Sequence, residues 1–165
     1  WEKWKCLKTE EVKVEEEVKV EEEVKVEVKV EEEVVGSMGQ GLLVFLGIEN
    51  EDDSSDLKWL VNKLLNLRIF NDENQMMNRS LLDKTGELMV ISQFTLMAAT
   101  KKGNRPSYIR AARHEIAIPL YEQFLILAEE RLGKKVAKGE FGADMKVSLI
   151  NDGPVTIIID SKNRE

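Results

Sequence analysis

Cysteine, histidine and proline are scarce in this chain of 165 residues, which has one Cys, one His and three Pro. A single cysteine excludes an internal disulfide and argues against a zinc site built on thiolates. The longest apolar runs, such as Leu42 to Leu46, are far too short to cross a bilayer. No basic and then apolar leader is visible. We therefore expect a cytoplasmic protein that needs no membrane, metal or cofactor.

The negative charge of the chain is concentrated in one segment. Residues 10–33 hold twelve Glu and four Lys, a local balance of −8, so the rest of the chain contributes +1 to the net −7. Every valine from Val12 to Val34 lies at an even position, and this period of two favours β-strands with bends near the Glu-Glu-Glu stretches. The sequence thus divides into an atypical acidic segment, 1–33, and a compact domain, 34–165.

The compact part has the pattern of a single α+β domain. A buried-strand run at Gly41 to Ile48 precedes a helix with cap candidates Asp53, Ser54 and Ser55. Another buried run follows at Glu87 to Leu96, and Pro119 can occupy the first turn of a second helix that stops at Gly133. Strands outnumber helices without strict alternation, which predicts a mixed, barrel-like β core with two main helices.

A Gly-Pro pair interrupts the C-terminal strand pattern. The runs Met145 to Ile150 and Val155 to Asp160 read as strands, and Gly153-Pro154 lies between them. Proline cannot donate to a sheet ladder, and an X-Pro bond is the one type for which the cis isomer costs only about 0.5–1 kcal/mol. The residues alone allow either the tight turn of an ordinary hairpin or a rigid loop that presents carbonyl groups to a ligand.

The motif Ser92-Gln93-Phe94-Thr95 directly follows the apolar strand Leu88 to Ile91, and three of its four residues are polar. Such residues commonly lie at a sheet edge that faces a cleft. A Thr95 nucleophile would need a base, and His114, the sole histidine, is interpreted as a solvated or capping residue. Gln93 and backbone amides fit better as donors to an oxyanion, although simple hydrogen bonding at a strand end remains an alternative.

The stretch 101–113 has five cationic residues and no acid. The pattern predicts a turn at Gly103, surrounded by Lys101, Lys102 and Arg105, and Tyr108 can stack on a base or sugar. Solvated surface is the alternative interpretation of this pattern.

Several motifs together resemble one known family, the D-aminoacyl-tRNA deacylases of the D-Tyr-tRNA deacylase type. They cover roughly Val34 to Ser161 and occur in the family's order and spacing. The motifs are VVGSMGQGLL (34–43), NLRIF (66–70), SQFTL (92–96), KGNRPS (102–107), FGADM (141–145) and NDGPVT (151–156). The family usually opens with a strand that contains Gln-Arg-Val, so the acidic segment either replaces that strand or lies outside the core.

The resemblance implies a cytoplasmic homodimer that hydrolyses the ester between a D-amino acid, or glycine mischarged on tRNA-Ala, and the terminal adenosine of tRNA. Ser92, Gln93, Phe94 and Thr95 would line the active site. A cis Gly153-Pro154 bond of one subunit would enter the site of the other and exclude L-amino acids. Lys101, Lys102 and Arg105 would contact tRNA; no DNA partner is expected.

Two alternative functions remain open from the sequence. One is a non-catalytic tRNA- or RNA-binding module, and the other is a threonine-dependent amidohydrolase.

Overall fold

The computed structural model describes residues 26–164 of the chain. In chain order, the elements of these residues are β1 (Val26–Val30), β2 (Glu33–Met38), β3 (Gly41–Leu46), α1 (Ser54–Asn66), β4 (Phe70–Asn71), β5 (Met77–Arg79), α2 (Leu81–Lys84), β6 (Glu87–Ser92), a 3-10 turn (Phe94–Met97), α3 (His114–Leu132), β7 (Ala137–Lys138) and β8 (Lys146–Ser148). The predicted α+β class with two main helices is confirmed, and α2 adds a third, short helix.

The predicted barrel-like core is wrong, because no closed barrel forms within residues 26–164. Their strands make three separate sheets, with the orders β2-β1-β8, β3-β6-β7 and β4-β5. Strands β3, β6 and β7 are parallel, whereas β1 is antiparallel to both of its neighbours. Closure would need hydrogen bonds between the two larger sheets, and these sheets instead lie against each other through side chains.

Strand β6 is buried on both faces and joins the two halves of the core. Leu88 and Val90 pack into a cluster with helices α1 and α3, whereas Met89 and Ile91 pack into a second cluster with β1. An apolar run of this kind is typical of a parallel strand that is covered on both sides. The order of layers is therefore helices, the β6 sheet and the β1 sheet.

Helix α1 begins where the sequence predicts. The Asp53 carboxylate accepts from the backbone N–H groups of Ser55 and Asp56, and the Asp56 side chain accepts in return from the Asp53 N–H. This reciprocal arrangement is a capping box, which satisfies amide groups that have no partner inside the helix. Because Asp56 is only 5% exposed, its carboxylate has little access to water.

Helix α3 begins earlier than predicted. It starts at His114, so Pro119 lies inside the helix and not in its first turn. The missing N–H of Pro119 removes one bond of the helix ladder, and the helix continues because its inward face is buried. The predicted stop at Gly133 is confirmed, with φ of 73° in the left-handed region that glycine adopts at helix ends. Neither this helix nor any other in residues 26–164 is long and apolar enough to cross a membrane.

The end of the acidic segment forms part of a sheet. Strand β1 lies at the centre of its sheet, with Val26 and Val28 buried. Glu31 and Glu32 make a two-residue turn to β2, which confirms the predicted bend at this Glu-Glu-Glu stretch. The stretches at 15–17 and 21–23 lie outside the described residues. Strand β2 crosses the predicted boundary at residue 33, and the division into two segments stays a prediction.

Replacement of the turn by Glu31→Asn with Glu32→Gly is expected to stabilise the protein by about 1 kcal/mol. Both glutamates have positive φ values, 49° and 68°, which cost free energy for residues other than Gly and Asn. The change removes the exposed ion pair between Glu32 and Lys146, a loss that is small for exposed pairs. Urea denaturation measures the free energy of unfolding. Glu33→Asn, in strand β2, is the control and should give no gain; an unchanged or lower value for the double variant would contradict this account.

The predicted pair of C-terminal strands is wrong in part. Strand β8 spans only Lys146–Ser148, and residues 155–160 form no strand. Within residues 26–164, β8 pairs only with β1 and over three residues, after which the chain leaves the sheet. The residues beyond pair with no strand of this described part, and Ile150, Ile157 and Ile158 are exposed.

Candidate active site

A cavity of about 770 Å³ opens where strand β6 ends. Four parts of the chain form its wall: the end of β3, the end of β6, the stretch that leads into and begins helix α3, and the loop before β8 with the start of that strand. The lining residues are Leu46, Ile48, Ile91, Ser92, Gln93, Phe94, Tyr108, Ala111, Ala112, Arg113, His114, Glu115, Ala117, Phe141, Gly142, Ala143, Asp144, Met145 and Val147. The volume lies within the usual range for sites that bind small ligands.

Ser92, Gln93 and Phe94 lie together on this wall, and their role in a reaction stays a prediction. Strand β6 ends at Ser92, and the Gln93 N–H donates to the Leu46 carbonyl at 2.8 Å, which fastens the turn to the end of β3. The backbone then enters the 3-10 turn with Gln93 as its cap residue. These contacts hold the polar group at the rim of the sheet.

Thr95 lies next to the cavity wall and is not part of it. Its hydroxyl oxygen accepts from the Gln93 side-chain amide at 2.5 Å. Within residues 26–164, Thr95 makes no hydrogen bond to a histidine, lysine or carboxylate that would take its proton. The geometry favours a role for Thr95 in orienting Gln93 over a role as nucleophile.

The sequence interpretation missed the opposite wall of the cavity. His114 is exposed, as expected, but it lines the cavity and is the first residue of α3; the cap position belongs to Arg113, which makes no side-chain cap bond. Glu115 and Asp144 add two carboxylates to this wall. The FGADM motif was the available signal for Asp144, whereas the position of His114 depends on how α3 packs.

Aromatic side chains back the cavity. Phe141 makes edge contacts with the rings of His114 and Tyr121, at centroid distances of 5.9 and 5.5 Å. Behind them, the Tyr121 hydroxyl donates to the Val90 carbonyl at 2.8 Å. Burial raises the pKa of Tyr121 to about 12, so this phenol stays neutral and fixed at physiological pH.

A basic loop lies beside the mouth of the cavity. Paired backbone bonds between Ala99 and Ser107, at 2.8 and 3.0 Å, close the loop that carries Lys101, Lys102 and Arg105. These three side chains are exposed, and no carboxylate of residues 26–164 forms a salt bridge with them. Next to the loop, the rings of Phe94 and Tyr108 meet edge to face at 5.1 Å.

Gly153 and Pro154 are exposed and do not line the cavity of their own chain. The expectation of a cis bond between them is wrong for this structure, because residues 26–164 contain no cis peptide bond. Trans is the lower-energy isomer of an X-Pro bond, and an exposed loop has no packing contact that reverses this preference. The loop is closed locally by Asn151, whose side chain bonds the Val155 N–H at 3.1 Å and the Thr156 hydroxyl at 3.0 Å.

Metal ligands are not grouped in the described part of the chain: no three His, Cys, Asp or Glu side chains of residues 26–164 are placed to hold an ion. The polar groups at the cavity are an amide, a serine hydroxyl, an imidazole, a guanidinium and two carboxylates. Such groups can bind and polarise a substrate directly.

Comparison with known proteins agrees with this arrangement. The model of the D-Tyr-tRNA(Tyr) deacylase family matches residues 20–160. A D-aminoacyl-tRNA deacylase of Flavobacterium psychrophilum is 62% identical over 133 residues, which are 81% of this chain and 89% of the relative. One of Parabacteroides distasonis is 57% identical over the same length, with the same coverage.

Two solved structures are similar to this one. The c-Myc DNA unwinding element binding protein has a TM-score of 0.75 and 39% identity, over 81% of this chain and 91% of that one. A probable eukaryotic D-amino acid tRNA deacylase has a TM-score of 0.66, over 78% and 90%, and its 18% identity shows the fold alone. Fold and cavity define an α+β protein with an open cavity at the end of a central strand. The chain belongs to the D-Tyr-tRNA(Tyr) deacylase family.

Proposed function

We propose that this protein hydrolyses the ester bond of D-aminoacyl-tRNA and releases a free D-amino acid and tRNA. The observation that carries the proposal is the cavity at the end of β6, in which Ser92, Gln93 and Phe94 lie on one wall. Membership of the deacylase family supplies the reaction class, and several relatives bear the name D-aminoacyl-tRNA deacylase.

In the proposed reaction, a water oxygen bonds to the ester carbonyl carbon and the bond to the ribose 3′ oxygen breaks. A water proton passes to the departing oxygen, so that the products are a carboxylate, a proton and tRNA. The Gln93 amide has two N–H donors, one of which is used by Thr95, so the second can donate to the carbonyl oxygen as it gains charge. The 2′-OH of the terminal ribose would orient the water, which requires no histidine base.

The basic loop would bind the tRNA backbone. Lys101, Lys102 and Arg105 project from the loop beside the cavity, and the Phe94–Tyr108 pair offers aromatic surface to the terminal base. Phosphate contacts of this kind release counterions and make affinity depend on salt.

The double variant Lys101→Gln with Lys102→Gln is expected to raise KM and to weaken its salt dependence. Loss of two phosphate contacts should reduce the slope of log KM against log salt by about 1.5, because each contact contributes about 0.7–0.9. Steady-state kinetics between low and moderate salt measure the slope. Lys58→Gln with Lys84→Gln, two exposed lysines on α1 and α2, is the charge-matched control. An equal slope in the two double variants would contradict this assignment.

Selection against L-amino acids would come from the backbone at Gly153 and Pro154 of a second copy of the chain. The loop is exposed and absent from its own cavity, and the residues around it expose isoleucine side chains that favour association. Rigid carbonyls that clash with an L-substituent exclude it without reading side-chain identity, so D-substrates of many sizes are accepted. Glycine has no side chain to exclude, which makes glycine on tRNA-Ala a further substrate.

A homodimer would supply this second copy, since two-fold pairing is the commonest way for one subunit to complete another's site. Sedimentation at several protein concentrations measures the state of association. A monomer that still turns over and still rejects L-substrates would overturn the cross-subunit role.

The central experiment measures release of tyrosine from D-Tyr-tRNA, with L-Tyr-tRNA as the control substrate. Rapid hydrolysis of the D-ester alone is the expected result. Binding of tRNA without release would instead favour a nucleic-acid-binding module, which is consistent with the basic loop and with the relative named as a DNA-binding protein. Hydrolysis of both esters at equal rates would contradict the proposed selectivity.

A further inference from the structure

The last described residues of the chain form a clasp on helix α1. The clasp consists of Lys162 and Arg164 on one side and of Asp52, Asp56 and Trp59 on the other. The Lys162 ammonium bonds the Asp56 carboxylate at 2.5 Å and the Glu51 carbonyl at 2.9 Å, and it lies 3.9 Å from the Asp52 carboxylate. The Arg164 guanidinium lies 3.7 Å from Asp56 and 4.5 Å from the centroid of the Trp59 ring.

Local hydrogen bonds build the turn that presents these two cations. The Asp160 carboxylate accepts from the backbone N–H of Lys162 at 2.8 Å and of Asn163 at 3.2 Å. The Arg164 side chain donates to the Ser161 carbonyl at 2.7 Å. The chain therefore turns sharply after residue 160 and directs both cations to the same helix.

The start of helix α1 and the residues before it present carboxylates to these cations. Asp56 is buried, one of its oxygens accepts the capping bond from the Asp53 N–H, and the Lys162 ammonium pairs with its charge. Burial raises the pKa of Asp52, although the hydrogen bond from the Glu49 N–H and, to a smaller extent, the Lys162 charge lower it. A buried carboxylate without a paired charge is costly. Loss of the clasp should therefore destabilise the protein more than loss of an ordinary surface ion pair.

The clasp is one of two attachments of the segment that carries the Gly-Pro pair. Residues 149–159 follow β8 and precede the clasp, and within the described chain they make no hydrogen bond to another element. Val155 and Ile159 are half-buried, whereas the other residues of the segment are exposed. Strand β8 therefore holds one end of the segment, and the clasp holds the other.

We propose that Lys162 and Arg164 are positioning residues that fix how far the Gly153-Pro154 loop reaches toward the cavity of a second subunit. This inference rests on the proposed function, because the loop matters only if it screens the substrate of a partner. A segment held at both ends samples fewer positions than one that is free at its C-terminal end. Loss of the clasp would let the loop retreat and would admit L-substrates.

Lys162→Met tests the proposal, since it keeps the aliphatic stem and removes the charge. We expect kcat/KM for D-Tyr-tRNA to fall about 10-fold and hydrolysis of L-Tyr-tRNA to rise, because small displacements in a site have large effects on rate. Hydrogen exchange of residues 160–164, whose turn is closed by the bonds of the Lys162 and Asn163 N–H groups to Asp160, should become faster when followed by mass spectrometry. Lys162→Arg should restore both the exchange and the preference for the D-ester.

Lys135→Met is the matched control. It removes an ion pair on another surface of the protein, in which the Lys135 ammonium lies 2.9 Å from the Glu129 carboxylate. It should leave the ratio of D to L hydrolysis and the exchange of residues 160–164 unchanged. A Lys162→Met variant with the wild-type ratio, or with unchanged exchange in residues 160–164, would overturn the positioning role while leaving the deacylase function intact. An inactive wild-type protein would instead remove the proposed function, and the positioning role with it.

Discussion

Gly153→Ala is expected to lower kcat/KM for D-Tyr-tRNA by about 100-fold, because a displacement of about 1 Å in a site can cost that factor. Gly153 has φ of 120°, which residues with a side chain rarely adopt. A Cβ at this position would lie 2.9 Å from Cγ2 of Val155 and 3.3 Å from its backbone nitrogen. The loop must shift to relieve these contacts. Single-turnover deacylation with D-Tyr-tRNA and L-Tyr-tRNA measures both the rate and the selectivity.

The control for this substitution is Gly133→Ala. Gly133 also has positive φ, 73°, and it ends helix α3 without any atom within 4 Å of an added Cβ. We expect Gly133→Ala to destabilise the fold by about 1 kcal/mol and to leave the selectivity for D-esters unchanged. If Gly153→Ala kept both the wild-type rate and the wild-type selectivity, the proposed role of the loop would be lost.

Gln93→Ala is expected to lower kcat by about 10²–10³-fold, the usual cost of removing one donor to an oxyanion. The Gln93 side chain lies on the cavity wall, and its backbone is fastened to the end of β3, so the substitution removes the amide without moving the strand. Thr95→Ala should cost less than about 10-fold, because Thr95 contributes only the hydrogen bond that orients the amide.

Thr95→Ser is the matched control in this pair, since it keeps the hydroxyl. Rapid-quench measurement of the chemical step, with binding measured separately, distinguishes loss of kcat from loss of affinity. Abolition of activity in Thr95→Ala, with full activity in Gln93→Ala, would favour a threonine nucleophile and would contradict the oxyanion role of Gln93.

Local features of the fold could be predicted from the sequence because their causes are local. Asp53 caps α1 through bonds to residues two and three positions ahead, and Gly133 ends α3 through its own backbone angle. The bend at Glu31 and Glu32 could be expected because Glu32 would fall on the apolar face of one unbroken strand, among the valines at even positions. Ser92 and Gln93 directly follow an apolar run, so their place at the strand end was also visible.

Features that depend on packing between distant residues could not be predicted in the same way. His114 reaches the cavity because α3 packs against β6 and Phe141, and no pattern around residue 114 encodes that arrangement. Residues 155–160 are rich in β-branched side chains, as strands are, but a strand needs a partner, and residues 26–164 provide none there. The isomer at Gly153-Pro154 likewise depends on what surrounds the loop.

Strand β1 has one consequence for the reaction itself. Its buried valines press against Met89 and Ile91, which point away from the helices on the same strand that ends at Ser92. The cavity wall that carries Ser92 is thus braced from behind by an alternation of small apolar side chains, for which no particular residue is required. Substitutions in β1 that keep this alternation should leave turnover intact, even where they change most of its residues. One charged residue on the inward face would loosen the wall.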